Sequence, residues 1–244
     1  MSVRELVLVR HGESEGNVAA AAARAAGAEM IDVPARDADV VLSRLGREQA
    51  AAVGNALAAM APAAAPEVLA CSPYLRARET AQLACESAGL ALATRIDERL
   101  RDRELGVLDR LTFAGVEARY PEEAERRRWQ GKFYHRPAGG ESWADVALRL
   151  RSWLADLDRD WADRRVLVVS HDVVIVLLRY VCEGLDEAQV LDLARATPLR
   201  NAALSRLVRR DDLSWTTAAY DEVSHLDAAG LPATEHRGER RAGA

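Results

Sequence analysis

Short apolar runs rich in β-branched residues recur along the chain: LVLV at 6–9, EVLAC at 67–71, LALATRI at 90–96 and RVLVVS at 165–170. Between them apolar residues fall at helical spacing. Continuous buried strands alternating with helices predict a parallel sheet covered on both faces. Ser43 ahead of RLGREQAAAVGNALAAM supplies a helix N-cap, and Ser72 with Pro73 supplies a cap and a pre-shaped first turn for PYLRARETAQLACES. Trp143, Val146, Leu150, Trp153, Leu154, Leu157 and Trp161 form one stripe from about 142 to 162, which predicts a helix buried on that side. The alanine-rich stretch 18–28 reads as a plain helix. NAALSRLVRR and LSWTTAAY flank DD and predict an antiparallel hairpin at the sheet edge. The expected fold is α/β, a three-layer α/β/α arrangement with a mostly parallel sheet and an antiparallel edge. One domain over 1–224 is expected, followed by a polar, Gly- and Ala-rich tail at 225–244 that reads as mobile, though able to close over a site.

Composition narrows the partners. The 244 residues are 49% apolar and 29% charged with a formal net charge of −5, so a basic nucleic-acid-binding surface is not expected. Arg4 and Glu5 precede an apolar run of only four residues, too short for a signal h-region, and no stretch reaches the length of a membrane span. A cytoplasmic location is the expectation. Cys71, Cys85 and Cys182 are an odd number at wide spacing and read as small core residues, not as a disulfide or zinc framework.

Candidate chemistry gathers just beyond the strands. In an open α/β sheet, ligands bind past the carboxyl ends of the strands. Arg10 and His11 follow the first strand, Ser72 and Arg76 the second, Asp102 and Glu104 the third, and His171 the fourth. RHGESEGN, SPYLRARET, LRDRELG and VSHDVVI, together with LSRLGREQA and GGES, resemble the motifs of the histidine phosphatase superfamily, the group containing cofactor-dependent phosphoglycerate mutases. The resemblance runs over nearly the whole chain to about residue 209.

It implies a covalent mechanism. Arg10 and Arg76 would grip phosphoryl oxygens through paired hydrogen bonds. His11 would be the nucleophile, forming a phosphohistidine, with its other ring nitrogen held protonated by a backbone carbonyl. Gly12 would be small because backbone and phosphate approach closely. His171 would donate to the phosphoryl oxygens, and Ser14 and Asn17 at the start of the first helix would contact substrate. Asp102 stands at the position of the acid that protonates the leaving oxygen, where most relatives carry glutamate; Glu104 is the rival, on the same side if the segment is extended. Asp172, where many relatives have glycine, would turn its carboxylate away from the phosphate and cap the following helix.

Other readings compete with this one. HD at 171–172 invites comparison with metal-dependent phosphohydrolases, but those are helical and no further histidine cluster supplies ligands, so no metal or other cofactor is expected. Cysteine phosphatases need Cys-x5-Arg, and Ala77 fills that place after Cys71. His135, His225 and His236 read as surface residues. Mutases typically carry an aromatic residue before the glycine of the acid motif and paired arginines after a tryptophan; Leu105-Gly106 and Trp129-Gln130-Gly131 depart from both. Arg126, Arg127 and Arg128 are a solvated face or a substrate contact. GKFYHRPAGGES is similar to phosphatase-type relatives, so the favoured function is a metal-independent phosphomonoesterase acting on a small-molecule phosphate ester. A helical cap inserted at about 107–141 would set substrate choice. The alternatives are a phosphoglycerate mutase and a catalytically silent phosphate-ester-binding module. The edge hairpin offers a surface for a homodimer.

Overall fold

The computed structural model describes residues 2–33 and 36–235. The central strands form where the chain is apolar without interruption. β1 (Glu5–Arg10) and β4 (Arg165–Ser170) pair in parallel at the centre of the sheet, and from Leu6 to Val9 and from Val166 to Val169 every residue is wholly buried. Such strands can exist only with helices on both faces. β2 (Val68–Cys71) lies parallel to β4, and β3 (Ala93–Ile96) parallel to β2. On the other side of β1, β5 (Leu204–Arg209) and β6 (Trp215–Glu222) form the expected antiparallel hairpin, giving the order β3-β2-β4-β1-β5-β6. β3 is shorter than its apolar run because α3 (Leu75–Ala88) ends on Gly89 at φ +64° and the chain must turn back before pairing begins.

The helices cover both faces. α1 (Glu15–Ala25) follows β1, and α2 (Arg44–Ala58) packs on α3 and on α9 (Ser224–Ala228). α6 (Trp143–Asp160) packs on α7 (Asp172–Glu183), which leads into α8 (Glu187–Ala196). The α6 stripe is core: Trp143, Val146, Leu150, Trp153 and Leu157 are all buried. Ser43 caps α2 by accepting Gly46 N–H at 3.0 Å. α3, however, starts at Leu75 with no side-chain cap. Ser72 Oγ instead accepts Tyr74 N–H and faces His171, so its hydroxyl serves the strand end.

Between β3 and α6 the chain makes α4 (Phe113–Arg119) and α5 (Pro121–Tyr134), which have a small core of their own in Leu108, Val116 and Ala124. The two ends of this insertion meet, Glu141 N–H on Glu104 O at 2.9 Å and Val107 N–H on Ala138 O at 3.0 Å. Thr112 docks it to the segment after α1, with N–H on Glu29 O at 3.0 Å and hydroxyl on Ala28 O at 2.6 Å.

Three expectations require correction. Residues 224–235 are not a loose tail: α9 buries Leu226 completely, Gln49 Nε2 donates to Pro232 O at 2.9 Å, and Asn201 N–H donates to Thr234 O at 2.9 Å. The remainder of the expected tail, 236–244 with His236, lies outside the described residues. His135 is not on the surface but 2% exposed, its Nε2 3.0 Å from Glu123 Oε2. His225 is half-buried with Nε2 on Ala202 O at 3.0 Å. In both cases a polar partner removes the cost of burying the ring. Among the described residues no helix is long and apolar enough to cross a membrane.

Candidate active site

Strand register brings the two imidazoles together. Arg10 stands opposite Ser170 in the β1–β4 ladder and His11 N–H donates to Ser170 O at 2.9 Å, so the residues after each strand are neighbours. The His11 and His171 rings lie edge to face, centroids 5.2 Å apart, and both are buried. His11 Nδ1 is 2.7 Å from Gly12 O. A carbonyl only accepts, so Nδ1 carries the proton and Nε2 keeps its lone pair. Burial, then the charge of Arg76, that of His171 whenever it is protonated, and that of Arg10, hold the His11 pKa well below its ordinary value. The free protein therefore presents a neutral imidazole.

His171 is wholly buried, and burial lowers its pKa against the opposing pull of Asp102. Ser72 Oγ lies 2.8 Å from Nε2 and accepts Tyr74 N–H at 3.2 Å. A buried hydroxyl needs a place for its own proton, and Nε2 provides it. That fixes the His171 proton on Nδ1, which sits 3.2 Å from Asp102 Oδ2 without a properly aligned acceptor. Arg10 is in a comparable state. Its Nη1 donates to Leu199 O, while its Nε is buried with no partner among the described residues. Two orphaned buried donors beside a neutral imidazole suit an anion with several acceptor oxygens.

Asp102 follows the turn after β3 and meets the cage directly: Oδ2 accepts Arg76 Nη2 at 3.0 Å and Oδ1 accepts Arg103 N–H at 2.8 Å. Burial works against its ionisation, but His171, Arg76 and the Arg103 amide outweigh it and hold the carboxyl well below the ordinary carboxylate range. Glu104 is drawn elsewhere, accepting the Tyr74 hydroxyl at 2.6 Å with its side chain 48% exposed. Asp172 takes Val173 N–H at 2.7 Å but is the first residue of α7, not its cap: His171 holds the N-cap position and no side chain caps the helix.

The α1 residues divide. Ser14 Oγ accepts Asn17 N–H and Asn17 Oδ1 accepts Ser14 N–H, both at 3.1 Å, a capping box that uses the Ser14 oxygen as acceptor and leaves its hydroxyl proton to donate. Asn17 Oδ1 also accepts Asn201 Nδ2 at 3.2 Å, leaving its NH2 as the group it can offer a ligand. The fold gives Gly12 its own reason to be small: a Cβ there would stand 2.4 Å from Gly46 O on α2.

Several supporting residues were not singled out for these roles from sequence. Asn201, wholly buried, donates to His11 O at 3.1 Å; Thr80, also wholly buried, accepts Gly12 N–H at 3.0 Å; Tyr74 sets its ring edge-on to His171 at 5.2 Å; and Asp37 pairs with Arg76. Thr80 lay in view as the last letter of SPYLRARET, whereas Asn201 and Asp37 have no local pattern to announce them. Cys71 is wholly buried and burial pushes its thiol up to about 12, which leaves it inert.

Comparison with known proteins agrees with this geometry. A glucosyl-3-phosphoglycerate phosphatase of Mycobacterium tuberculosis (strain ATCC 25618 / H37Rv) is 34% identical over 186 residues, 73% of this chain and 74% of its own. A 2,3-bisphosphoglycerate-dependent phosphoglycerate mutase of Methylobacterium radiotolerans is 36% identical over 193 residues, 78% of this chain and 84% of its own. The solved structure of mycobacterial glucosyl-3-phosphoglycerate phosphatase in complex with VO3 superposes with a TM-score of 0.69 at 31% identity, covering 91% of this chain and all of that one. The family model for the histidine phosphatase superfamily (branch 1) matches residues 6–222, from β1 to the end of β6 and across both histidine-bearing strand ends, and the chain belongs to that family.

Proposed function

We propose that this chain hydrolyses a small-molecule phosphate monoester through a phosphohistidine on His11, without a metal. The observation that carries the reading is the His11 ring: neutral, tautomer fixed by Gly12 O, and set against the His171 ring with orphaned donors of Arg10 and His171 close by. His11 Nε2 attacks phosphorus in line with the ester oxygen. Arg10, Arg76, His171 Nδ1–H and the Asn17 amide hold the equatorial oxygens, where donors preorganised in a dry site contribute most. Asp102 is an anion in the free protein. The phosphoryl group adds negative charge beside it and takes over hydrogen bonds from Arg76, both of which raise its pKa until it can carry the proton that the leaving alkoxide needs. Having given up that proton, it receives one from the water that attacks the phosphohistidine.

The test is release of phosphate from an aryl phosphate in excess chelator. His11→Ala is expected to abolish it, and Asp102→Asn to lower kcat by about 10²–10⁴-fold, more than Glu104→Gln does. Full activity in His11→Ala refutes the nucleophile; a larger loss in Glu104→Gln transfers the acid role to that residue. The mutase reading has support in the Methylobacterium relative. It requires interconversion of phosphoglycerates, and a coupled assay that detects none removes it. A cytoplasmic site of action and a homodimer paired along the free edge of β6 complete the proposal; a single species of monomer mass in sedimentation velocity removes the dimer.

A further inference from the structure

Arg76 does not meet an incoming phosphoryl group unopposed. Its Nη1 donates to Asp37 O at 2.7 Å and Asp37 Oδ1 at 3.0 Å; its Nη2 donates to Asp37 Oδ2 at 3.2 Å and to Asp102 Oδ2 at 3.0 Å. Asp102 belongs to the mechanism proposed above, and Asp37 does not. It sits on a single 3-10 turn, Asp37–Asp39, that leans on α3. Its side chain is 46% exposed while that of Arg76 is 5% exposed, so the pair runs from the buried cage out to its mouth. Two carboxylates on one guanidinium nitrogen also set Asp37 beside the acid that serves the leaving oxygen.

Other acids share that mouth. Glu104 is fixed by the Tyr74 hydroxyl, and the Asp109 carboxyl is held above its ordinary range first by burial and then by the charges of Asp37 and Glu104. Of the neighbouring cations, Arg36 forks onto Asp39 at 3.0 and 3.2 Å, Arg101 lies 2.6 Å from Glu141 and 4.0 Å from Glu104, and Arg110, beside Asp109, turns its Nε to Ile31 O at 3.4 Å. The cage is thus built to take one dianion, and its entrance penalises a second. We infer that Asp37 is a specificity-determining residue that selects phosphate esters of uncharged or cationic alcohols over esters bearing another anionic group.

This rests on the phosphatase reading of the cage. Two esters that differ at one carbon, glycerol 3-phosphate and 3-phosphoglycerate, isolate the effect of a single carboxylate. Titration calorimetry on the His11→Ala protein, which leaves both esters intact, is expected to show glycerol 3-phosphate binding about tenfold more tightly, the order of one close charge pair in a water-like dielectric. Asp37→Asn should tighten both, because Arg76 is released, and bring their ratio towards one; Asp37→Glu, which restores the charge, should restore the ratio. A merely structural role would shift both affinities alike. Preference for 3-phosphoglycerate, a ratio unmoved by Asp37→Asn, or no binding of either ester overturns the inference. Turnover of p-nitrophenyl phosphate by the unaltered chain, measured alongside, judges the phosphatase reading separately.

Discussion

At the residue scale the site depends on imidazoles that stay neutral although they are surrounded by charge. His11 and His171 are held below their ordinary value of 6.5 chiefly by burial, and so is His135 despite its contact with Glu123. In the unfolded chain each takes a proton near 6.5, while the folded protein refuses it. The unfolded state then binds more protons, so stability rises with pH across this window and is lost as pH falls below about 6.5. Ring-carbon NMR of the ligand-free protein should show His11 in its neutral form at pH 6.5, and urea midpoints should decline from pH 7 to pH 5. A His11 titration centred at 6.5 or above contradicts the neutral nucleophile. Asp102 adds in the same direction further down, because a carboxyl with a depressed pKa stabilises only where it is ionised. The tautomer of His11 follows from the resemblance that RHGE carries, but the fall in its pKa and that of Asp102 are not legible in the letters RHGE or LRDRE. The sequence shows which groups are present; burial and the partners at 3 Å decide their protonation.

At the element scale the loop carrying His11 is clamped by the cap and first two turns of α2. Glu13 N–H donates to Gln49 Oε1 at 2.9 Å, Ser43 N–H to Glu13 O at 2.9 Å, and Ser43 hydroxyl to Glu13 Oε1 at 2.8 Å. Gly46 makes this possible, since a Cβ there would stand 1.9 Å from Glu13 O. Helix propensity alone favours Gly46→Ala by about 1 kcal/mol. Backbone on both sides of the contact leaves no flexible atom to yield, and overpacking of that kind costs roughly 1–3 kcal/mol. The contact wins: Gly46→Ala should lower the urea midpoint and kcat/KM together, and a stabilised, fully active variant would show that the clamp is dispensable. Periodicity read the elements well because buried strands and one-sided helices leave a direct trace in the order of apolar residues. It misplaced the start of α3, where the Ser72 hydroxyl had a tertiary partner more demanding than a helix amide. It also missed the role of Gly46, whose neighbour lies 33 residues away in sequence.

At the scale of the whole molecule, convergence on one crevice is readable in the sequence, because parallel strands oblige their carboxyl ends to share an edge. The contribution of the C-terminal segment was not readable, since nothing in SHLDAAGLPAT distinguishes a packed strap from a loose one. Its contacts lead straight to the nucleophile. Thr234 O holds Asn201 N–H, Thr234 hydroxyl donates to Asn201 Oδ1 at 3.2 Å, and Asn201 Nδ2 donates to His11 O and Asn17 Oδ1. Pro232 O holds the Gln49 amide whose other end fixes Glu13. Ending the chain at Val223 therefore removes the burial of Leu226, about 1.5–3 kcal/mol for a side chain of that size, and frees the two amides that steady the His11 loop. Loss of stability alone would leave kcat unchanged under conditions where the shortened protein remains folded. Loss of the Asn201 and Gln49 anchors predicts more: a fall in kcat at 10 °C, with folding verified by circular dichroism, that Asn201→Ala reproduces in the full chain. Unaltered kcat in the folded, shortened protein would reduce the strap to a stabilising role and leave the nucleophile positioned by the contacts that remain, Ser170 O, Thr80 and the α2 clamp among them.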